Sequence, residues 1–187
     1  MTELIIRPAQ VQDADAIAAL VNRAYRGDSS RAGWTTEADL LDGKRTTTEA
    51  DLLDGKRTTI ENVLALLNRQ DVLILTGWVA EMLMVTLCAE WHAEEQVAHL
   101  GMIAVEPTAQ NQGYGKKMIL AAEQLAVERW GVRASQMAVV SVRETLIAFY
   151  QRLGYQATGE LKPFPHLPEM WQAKVENMQL MTLQKDL

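Results

Sequence analysis

Gln110, Gly113, Gly115, Lys116 and Lys117 fall within one eight-residue stretch, and their types suit the holding of a phosphate chain. Gly113 and Gly115 allow backbone to approach a ligand without Cβ interference. A helix that starts just after them offers unpaired N–H groups and the positive end of its dipole, which together favour an anion. Two lysines at a helix start work against the helix alone. An anion seated among them removes that conflict.

The elements around this stretch must deliver it as a bend between a strand and a helix. Upstream, Leu100, Met102, Ile103 and Val105 mark an apolar strand over 97–105, closed by Pro107, whose fixed φ and missing N–H end a ladder. Downstream, Met118, Ile119, Ala122, Leu125 and Ala126 recur at helical spacing, which predicts a helix to Trp130 stopped by Gly131. Further out, residues 4–8 read as a strand and 13–25 as a helix begun by Asp13. Residues 60–67 read as a second amphipathic helix with Val63, Leu64 and Leu67 on one side. Strands are expected at 137–142, 155–160 and 175–183, and a helix at 144–153. Residues 161–173, with three of the five prolines, are expected to be loop.

The spacing Gln110-x-x-Gly113-x-Gly115, preceded by Val105-x-Pro107, resembles the Gln/Arg-x-x-Gly-x-Gly/Ala motif of the GCN5-related N-acetyltransferases (GNAT). The stretch from Leu146 through Phe149, Tyr150 and Gly154 to Tyr155 is similar to the later helix of that family, one helix and one strand further on. The opening Ile6-Arg7-Pro8-Ala9 with Asp13 resembles its first strand and helix start. The resemblance implies a single α/β domain over 1–187: a mixed, mostly antiparallel sheet splayed at the acetyl-CoA site, with helices on both faces.

It also implies acetyl-CoA as acyl donor, held by Ile103, Ala104 and Val105 along the strand edge and by Gln110, Asn111, Gln112, Gly113, Tyr114, Gly115 and Lys116 around the pyrophosphate. Tyr150 falls on the tyrosine that assists the departing thiolate. By position alone it is a core aromatic beside Leu146 and Ile147. His99 stands where histone acetyltransferases of the family carry a glutamate base, eleven residues before the motif glutamine. Imidazole at that place takes a proton from an ammonium, and the bland alternative is a solvated strand-edge residue. Glu90, Glu94 and Glu95 are further candidates. Two positions depart from the family: Arg143 replaces an asparagine, and 82–87 lacks a bending glycine.

The acceptor side is less legible. Residues 36–47 are repeated without change as 48–59. One repeat is not a solenoid, and twelve residues return a helix about 120° out of phase, so a continuous helix does not present both copies on one face. One copy is expected to fill the position the fold needs and the other to form a surface excursion. Glu37 and Asp39 therefore compete with Glu49 and Asp51 for one role, with Trp34 just before and Phe164 in the proline-rich segment as apolar candidates for an acceptor wall. No metal site is expected.

Composition narrows the partners. At 187 residues with a net charge of −6, the 18 Lys+Arg against 24 Asp+Glu leave little basic face for nucleic acid. The single Cys88 makes no internal disulfide, and the first residues lack a basic and apolar leader pattern, which suits the cytoplasm. Residues 72–91 are apolar enough to raise a membrane span. Glu81 near the bilayer centre would cost ~2.5–3.5 kcal/mol, and two strands reversing around 77–81 explain the same residues, so no membrane partner is expected. A small-molecule amine or amino acid is the expected acceptor. A protein N-terminus or lysine, a non-catalytic acyl-CoA-binding regulatory module, and assembly as a homodimer stay open.

Overall fold

The computed structural model describes residues 3–26, 53–55, 57–164, 171–173 and 179–187. In chain order the elements are β1 (Ile5–Pro8), a 3₁₀ turn (Val11–Asp13), α1 (Ala14–Arg26), β2 (Leu53–Gly55), α2 (Ile60–Leu67), β3 (Val72–Val79) and β4 (Met82–His92). They continue with β5 (Val97–Val105), a second 3₁₀ turn (Pro107–Ala109), α3 (Tyr114–Trp130), β6 (Ala134–Val140), α4 (Glu144–Arg152), β7 (Gln156–Pro163), β8 (Trp171–Ala173) and β9 (Gln179–Asp186). Seven strands form one sheet in the order β1-β3-β4-β5-β6-β9-β7, and β2 pairs with β8 beside it. Within the seven-stranded sheet only β5 and β6 run parallel. Such a pair needs a long crossover, and α3 supplies it.

Alternation sorts the strand residues onto two faces. Leu73, Leu75, Val85, Leu87, Ala89, Ala98 and Leu100 form one core with Met118, Ile119, Ala122 and Ala126 of α3. Val72, Ile74 and Cys88 form the other with Ile17, Leu20 and Val21 of α1 and Val63 of α2. Burial pushes the Cys88 thiol up to about 12, as expected of a packed thiol. No helix among the described residues is long and apolar enough to cross a membrane; the apolar run 72–91 is the β3–β4 hairpin, turning at Ala80, which has φ 52°.

A bulge in β5 organises the centre. Thr86 pairs with Ala104 but Cys88 pairs with Gly101, so Met102 and Ile103 together stand opposite Leu87. Met102 holds φ 51°, a conformation costing roughly 1–3 kcal/mol for a residue with a Cβ. One extra residue exchanges the two faces. Ala98 and Leu100 point to the α3 core, whereas Met102 and Ala104 point to the α1 core. The bend that a glycine in 82–87 would have provided comes instead from the neighbouring strand.

Past the bulge the sheet parts. β5 and β6 pair only at Val97 with Ala134, Ala98 with Ser135 and His99 with Gln136. Beyond that, β5 pairs on with β4, and β6 with β9.

Several expected boundaries are corrected. β6 begins at Ala134 rather than 137 and ends at Val140, because small Ala134 and Ser135 carry little strand signal yet are paired on both sides. β9 (Gln179–Asp186) runs past the expected end at 183, and 175–178 lie outside the described residues; polar Gln184, Lys185 and Asp186 are held as strand by pairing with Ala134–Gln136. The segment 161–173 is partly strand. Leu161, Lys162 and Pro163 continue β7 on the sheet edge, where a proline has no ladder to break, and Trp171–Ala173 pairs with Leu53–Gly55. Glu123, which is not part of the apolar stripe of α3, is buried: it accepts from Tyr155 at 2.7 Å and from Lys185 at 2.6 Å, while Ser135 shares the Tyr155 hydroxyl at 2.7 Å. This network fastens the end of α4 to α3, β6 and β9.

The described part of the duplication is the end of its second copy. The Asn22 side chain accepts from Arg57 N–H at 2.7 Å and donates to the Thr58 carbonyl at 2.9 Å, and Thr59 Oγ1 accepts from Asn62 N–H at 3.2 Å as the cap of α2. Because the copies are identical, removing either gives the same chain, with Arg-Thr-Thr still leading into Ile60. The twelve-residue deletion is expected to unfold cooperatively within about 3 °C of the full chain in a thermal melt. Loss of the cooperative transition would show that both copies are needed.

Candidate functional site

Where β5 and β6 separate, two cavities open and meet. One, of about 370 Å³, lies over the start of α3, bounded by Val105, Gln110, Asn111, Gly113, Tyr114, Gly115, Lys116 and Arg152. The other, of about 340 Å³, runs between the strands past His99–Ile103 and Met137–Val140, and is bounded by Glu90, Arg57 and Phe164. Tyr25, Ile103, Arg143, Leu146 and Tyr150 line both. The two form one cleft through the sheet.

The α3 end is built for an anion. Asn111 and Gly113 adopt φ 66° and 77°, with Gly113 as N-cap; left-handed residues among others turn successive N–H groups toward one point. The Gly113 carbonyl takes the first helical bond, from Lys117 N–H at 3.0 Å, so the N–H groups before Lys117 have no helical partner. A Cβ on Gly115 would meet only Val105 Cγ2, at 3.5 Å. Nothing among the described residues forbids alanine there. Lys116, Arg143 and Arg152 are the charged residues of this cavity among those described, and all are cationic.

At the junction, Tyr150 is 6% exposed on α4, with its ring centroid 5.3 Å from Phe149 and 6.2 Å from Tyr155, the latter edge-on. Its carbonyl accepts from Leu153 N–H at 2.9 Å and Tyr155 N–H at 3.1 Å, and Gly154 takes φ 98° to close that turn. Backbone and ring are both fixed. The Tyr25 hydroxyl donates to the Ile103 carbonyl at 2.9 Å. That oxygen, in the bulge, is thus served from α1 rather than from a neighbouring strand. It keeps a second lone pair.

His99 lies deeper in the second cavity, at the last paired position between β5 and β6. Its side chain is 31% exposed, its ring stacks on His92 at 3.9 Å, and its Nε2 stands 4.0 Å from Glu95. Burial, with a smaller push from His92, holds its pKa below the ordinary histidine value. The neutral form therefore prevails at neutral pH. Glu90, its cross-strand partner, is bound by Arg69 at 2.9 Å.

Of the residues singled out in the sequence, Val105, Gln110, Asn111, Gly113, Tyr114, Gly115 and Lys116 line the first cavity, Glu90, His99 and Phe164 the second, and Ile103, Arg143 and Tyr150 both. Ala104 turns into the α1 core, and Gln112 is exposed beside the cavity without lining it. Trp34, Glu37, Glu49, Asp39 and Asp51 lie outside the described residues. Tyr25, Arg57 and Arg152 were not anticipated. Tyr25 ends the apolar stripe of α1 with a polar tip, a weak signal; Arg57 has an identical twin in Arg45 and carried none.

The comparisons with known proteins agree with this architecture. Residues 68–155 match the model of the acetyltransferase (GNAT) family. The GNAT-family acetyltransferase of Streptococcus pneumoniae superimposes with a TM-score of 0.67 at 18% identity, over 99% of this chain and 100% of that one. PaiA N-acetyltransferase of Thermoplasma acidophilum, solved in complex with coenzyme A, gives 0.67 at 14% identity over 99% of each chain. The ribosomal-protein-S18-alanine N-acetyltransferase of Escherichia coli gives 0.66 at 13%, over 98% of this chain and 94% of that one. No curated protein matches by sequence. At these identities the structural likeness is one of fold. Residues 68–155 thus resemble the GNAT family's model, and the fold around them is the one that these acetyltransferases share.

Proposed function

We propose that this protein transfers an acetyl group from acetyl-CoA to the amine of a small molecule by direct attack. The observation that carries the reading is the meeting of an anion-binding cavity and a strand-lined cavity at the fixed ring of Tyr150. The chain suits the donor on its own chemistry. Left-handed Asn111 and Gly113 with the first turn of α3 would cradle the pyrophosphate, Lys116 and Arg152 would offset its charge, and the separated edge of β5 at Ile103 to Val105 would take the pantetheine arm as an added strand.

Acetyl-CoA supplies the activated acyl group: the amine nitrogen bonds to its carbonyl carbon and the C–S bond breaks. Everything else falls to the chain. The cleft fixes the two reactants in one orientation, the term that removes most of the entropic barrier. His99, neutral at working pH, takes the proton that the nitrogen must lose, directly or through water. The Tyr150 hydroxyl donates to the departing thiolate, whose ordinary pKa of roughly 8.5 requires only modest help. The positive end of α3 and the nearby cations stabilise the anionic product.

Two variants test the assignments. Tyr150→Phe is expected to lower kcat about 100-fold while acetyl-CoA affinity, measured by calorimetry, moves by less than about threefold. Equal losses in both would return Tyr150 to a packing role. Because the folded pKa of His99 is lowered, its basic form grows in as pH rises through a value below roughly 6.5. The acid limb of kcat/KM should therefore have its midpoint below that value and vanish in His99→Gln. An unchanged acid limb in the variant would remove His99 from proton transfer.

A further inference from the structure

His99 has one ring nitrogen, Nε2, that is buried and makes no hydrogen bond among the described residues. A buried polar atom in that condition is costly, and the carboxylate of Glu95 faces it, with Oε2 4.0 Å away. The other ring nitrogen, Nδ1, is left open to the cavity that His99 lines. Glu95 is brought there by a turn that is itself held. Residues 93–96 join β4 to β5, with Gln96 at φ 56°; its side chain donates to the Ala93 carbonyl at 2.7 Å, and its own carbonyl accepts from Arg133 N–H at 3.0 Å. On the flank of the ring, His92 stacks at 3.9 Å with 22° between the planes. The remaining charged groups around the imidazole are already engaged. Glu90 of β4 is bound by Arg69 at 2.9 Å, while Glu160 of β7 accepts from Thr182 Oγ1 at 2.9 Å and pairs with Lys162 at 3.2 Å. Arg57 and Arg143, which line the same cavity, also have contacts within the chain. Among the described residues Glu95 has no ion pair other than the one with His99.

We infer that Glu95 is a positioning residue for His99: its carboxylate holds the imidazole in the Nε2–H tautomer, turns the Nδ1 lone pair to the cavity, and opposes the charge the ring gains on taking a proton. This rests on the reading of His99 as the base in acetyl transfer. Nδ1 takes the proton that the attacking amine loses, and Nε2 keeps its own. The ring then carries a proton on each nitrogen and one positive charge, beside a carboxylate that stays ionised. A base oriented by a third group is the arrangement that proton transfer in a fixed cleft calls for. At 4.0 Å the pair is at ion-pair rather than hydrogen-bond reach; a bridging water or a rotation of the exposed Glu95 side chain closes it. Burial and His92 weaken the ring as a base, and Glu95 works against both.

The test begins without substrate, by nitrogen-resolved NMR of the histidines in the full chain, with the His99 signals assigned by their loss in His99→Gln. The parent is expected to show the Nε2–H tautomer. In Glu95→Gln the His99 titration should move to lower pH, because a charge that favours the imidazolium is gone, and in Glu95→Ala the tautomer should become mixed as well. His92→Ala should move the titration the other way. A turn merely loosened by substitution would expose the ring and raise the midpoint in every variant, so the sign separates the two causes. With acetyl-CoA and an amine acceptor, Glu95→Gln is expected to lower kcat roughly tenfold, part of the ~10²–10⁴ that a general base supplies. KM for acetyl-CoA should stay within about twofold, and the acid limb of kcat/KM should shift to lower pH. A His99 titration indifferent to Glu95→Gln, or a kcat left at the parent value, would overturn the positioning role and leave the transferase standing. A tautomer and titration governed by Glu95 in a chain that releases no CoA with any amine would keep the pair and sink the transferase.

Discussion

The parting of β5 from β6 is the constraint on which the rest of this molecule depends. Parallel strands hydrogen-bonded along their whole length would leave no room inside the sheet, and here they stay together for only three residue pairs. The cause is local. One extra residue at Met102 and Ile103, taken up by a left-handed backbone, bends β5 toward β4 and exchanges its two faces. Backbone groups on the freed edges lose their ladder partners. A buried polar group without a partner costs about 1–3 kcal/mol, so such an edge is tolerable only where something else supplies the bonds. The Tyr25 hydroxyl does so for Ile103, and the proposed donor would do so for the rest.

What surrounds the opening makes it rigid rather than merely open. α3 covers one side of the sheet and α1 with α2 the other, each over its own core. α4 is tied down at its C-terminal end, where Tyr155, Glu123, Ser135 and Lys185 form a buried polar network. Burial holds the Tyr155 hydroxyl well above the ordinary tyrosine range, so it stays protonated and keeps donating to Glu123. Tyr150 sits one turn before that anchor. The chemistry proposed for it needs a hydroxyl held in place, and the network supplies the holding from a distance.

Much of this was legible in the sequence. The helix over 60–67, the strand over 97–105, the hairpin in 72–91 and the stop at Gly131 follow from periodicity and from residues with fixed backbone preferences. The glycine motif was legible because backbone conformation alone decides it. The bulge was not: Val97, Ala98, Leu100, Met102, Ile103, Ala104 and Val105 are all apolar, and the exchange of faces shows only in which core each of them joins. Other features depend on partners far along the chain and leave no local trace. Ala134 and Ser135 become strand because β5 and β9 flank them, and Glu123 is buried because Lys185 reaches it from sixty-two residues away. Arg57 could not be told from Arg45 by any reading of identical repeats; Asn22 and the cap of α2 distinguish it.

The central claim is that the separated edge of β5 and the first turn of α3 together receive the donor. Amide hydrogen exchange with and without CoA measures this at the backbone groups concerned. The account predicts slowed exchange confined to Ile103–Val105 and Asn111–Lys116, with β3 and the far end of β4 unchanged. Exchange left unaltered in both segments at a saturating CoA concentration, or slowed elsewhere instead, would contradict it.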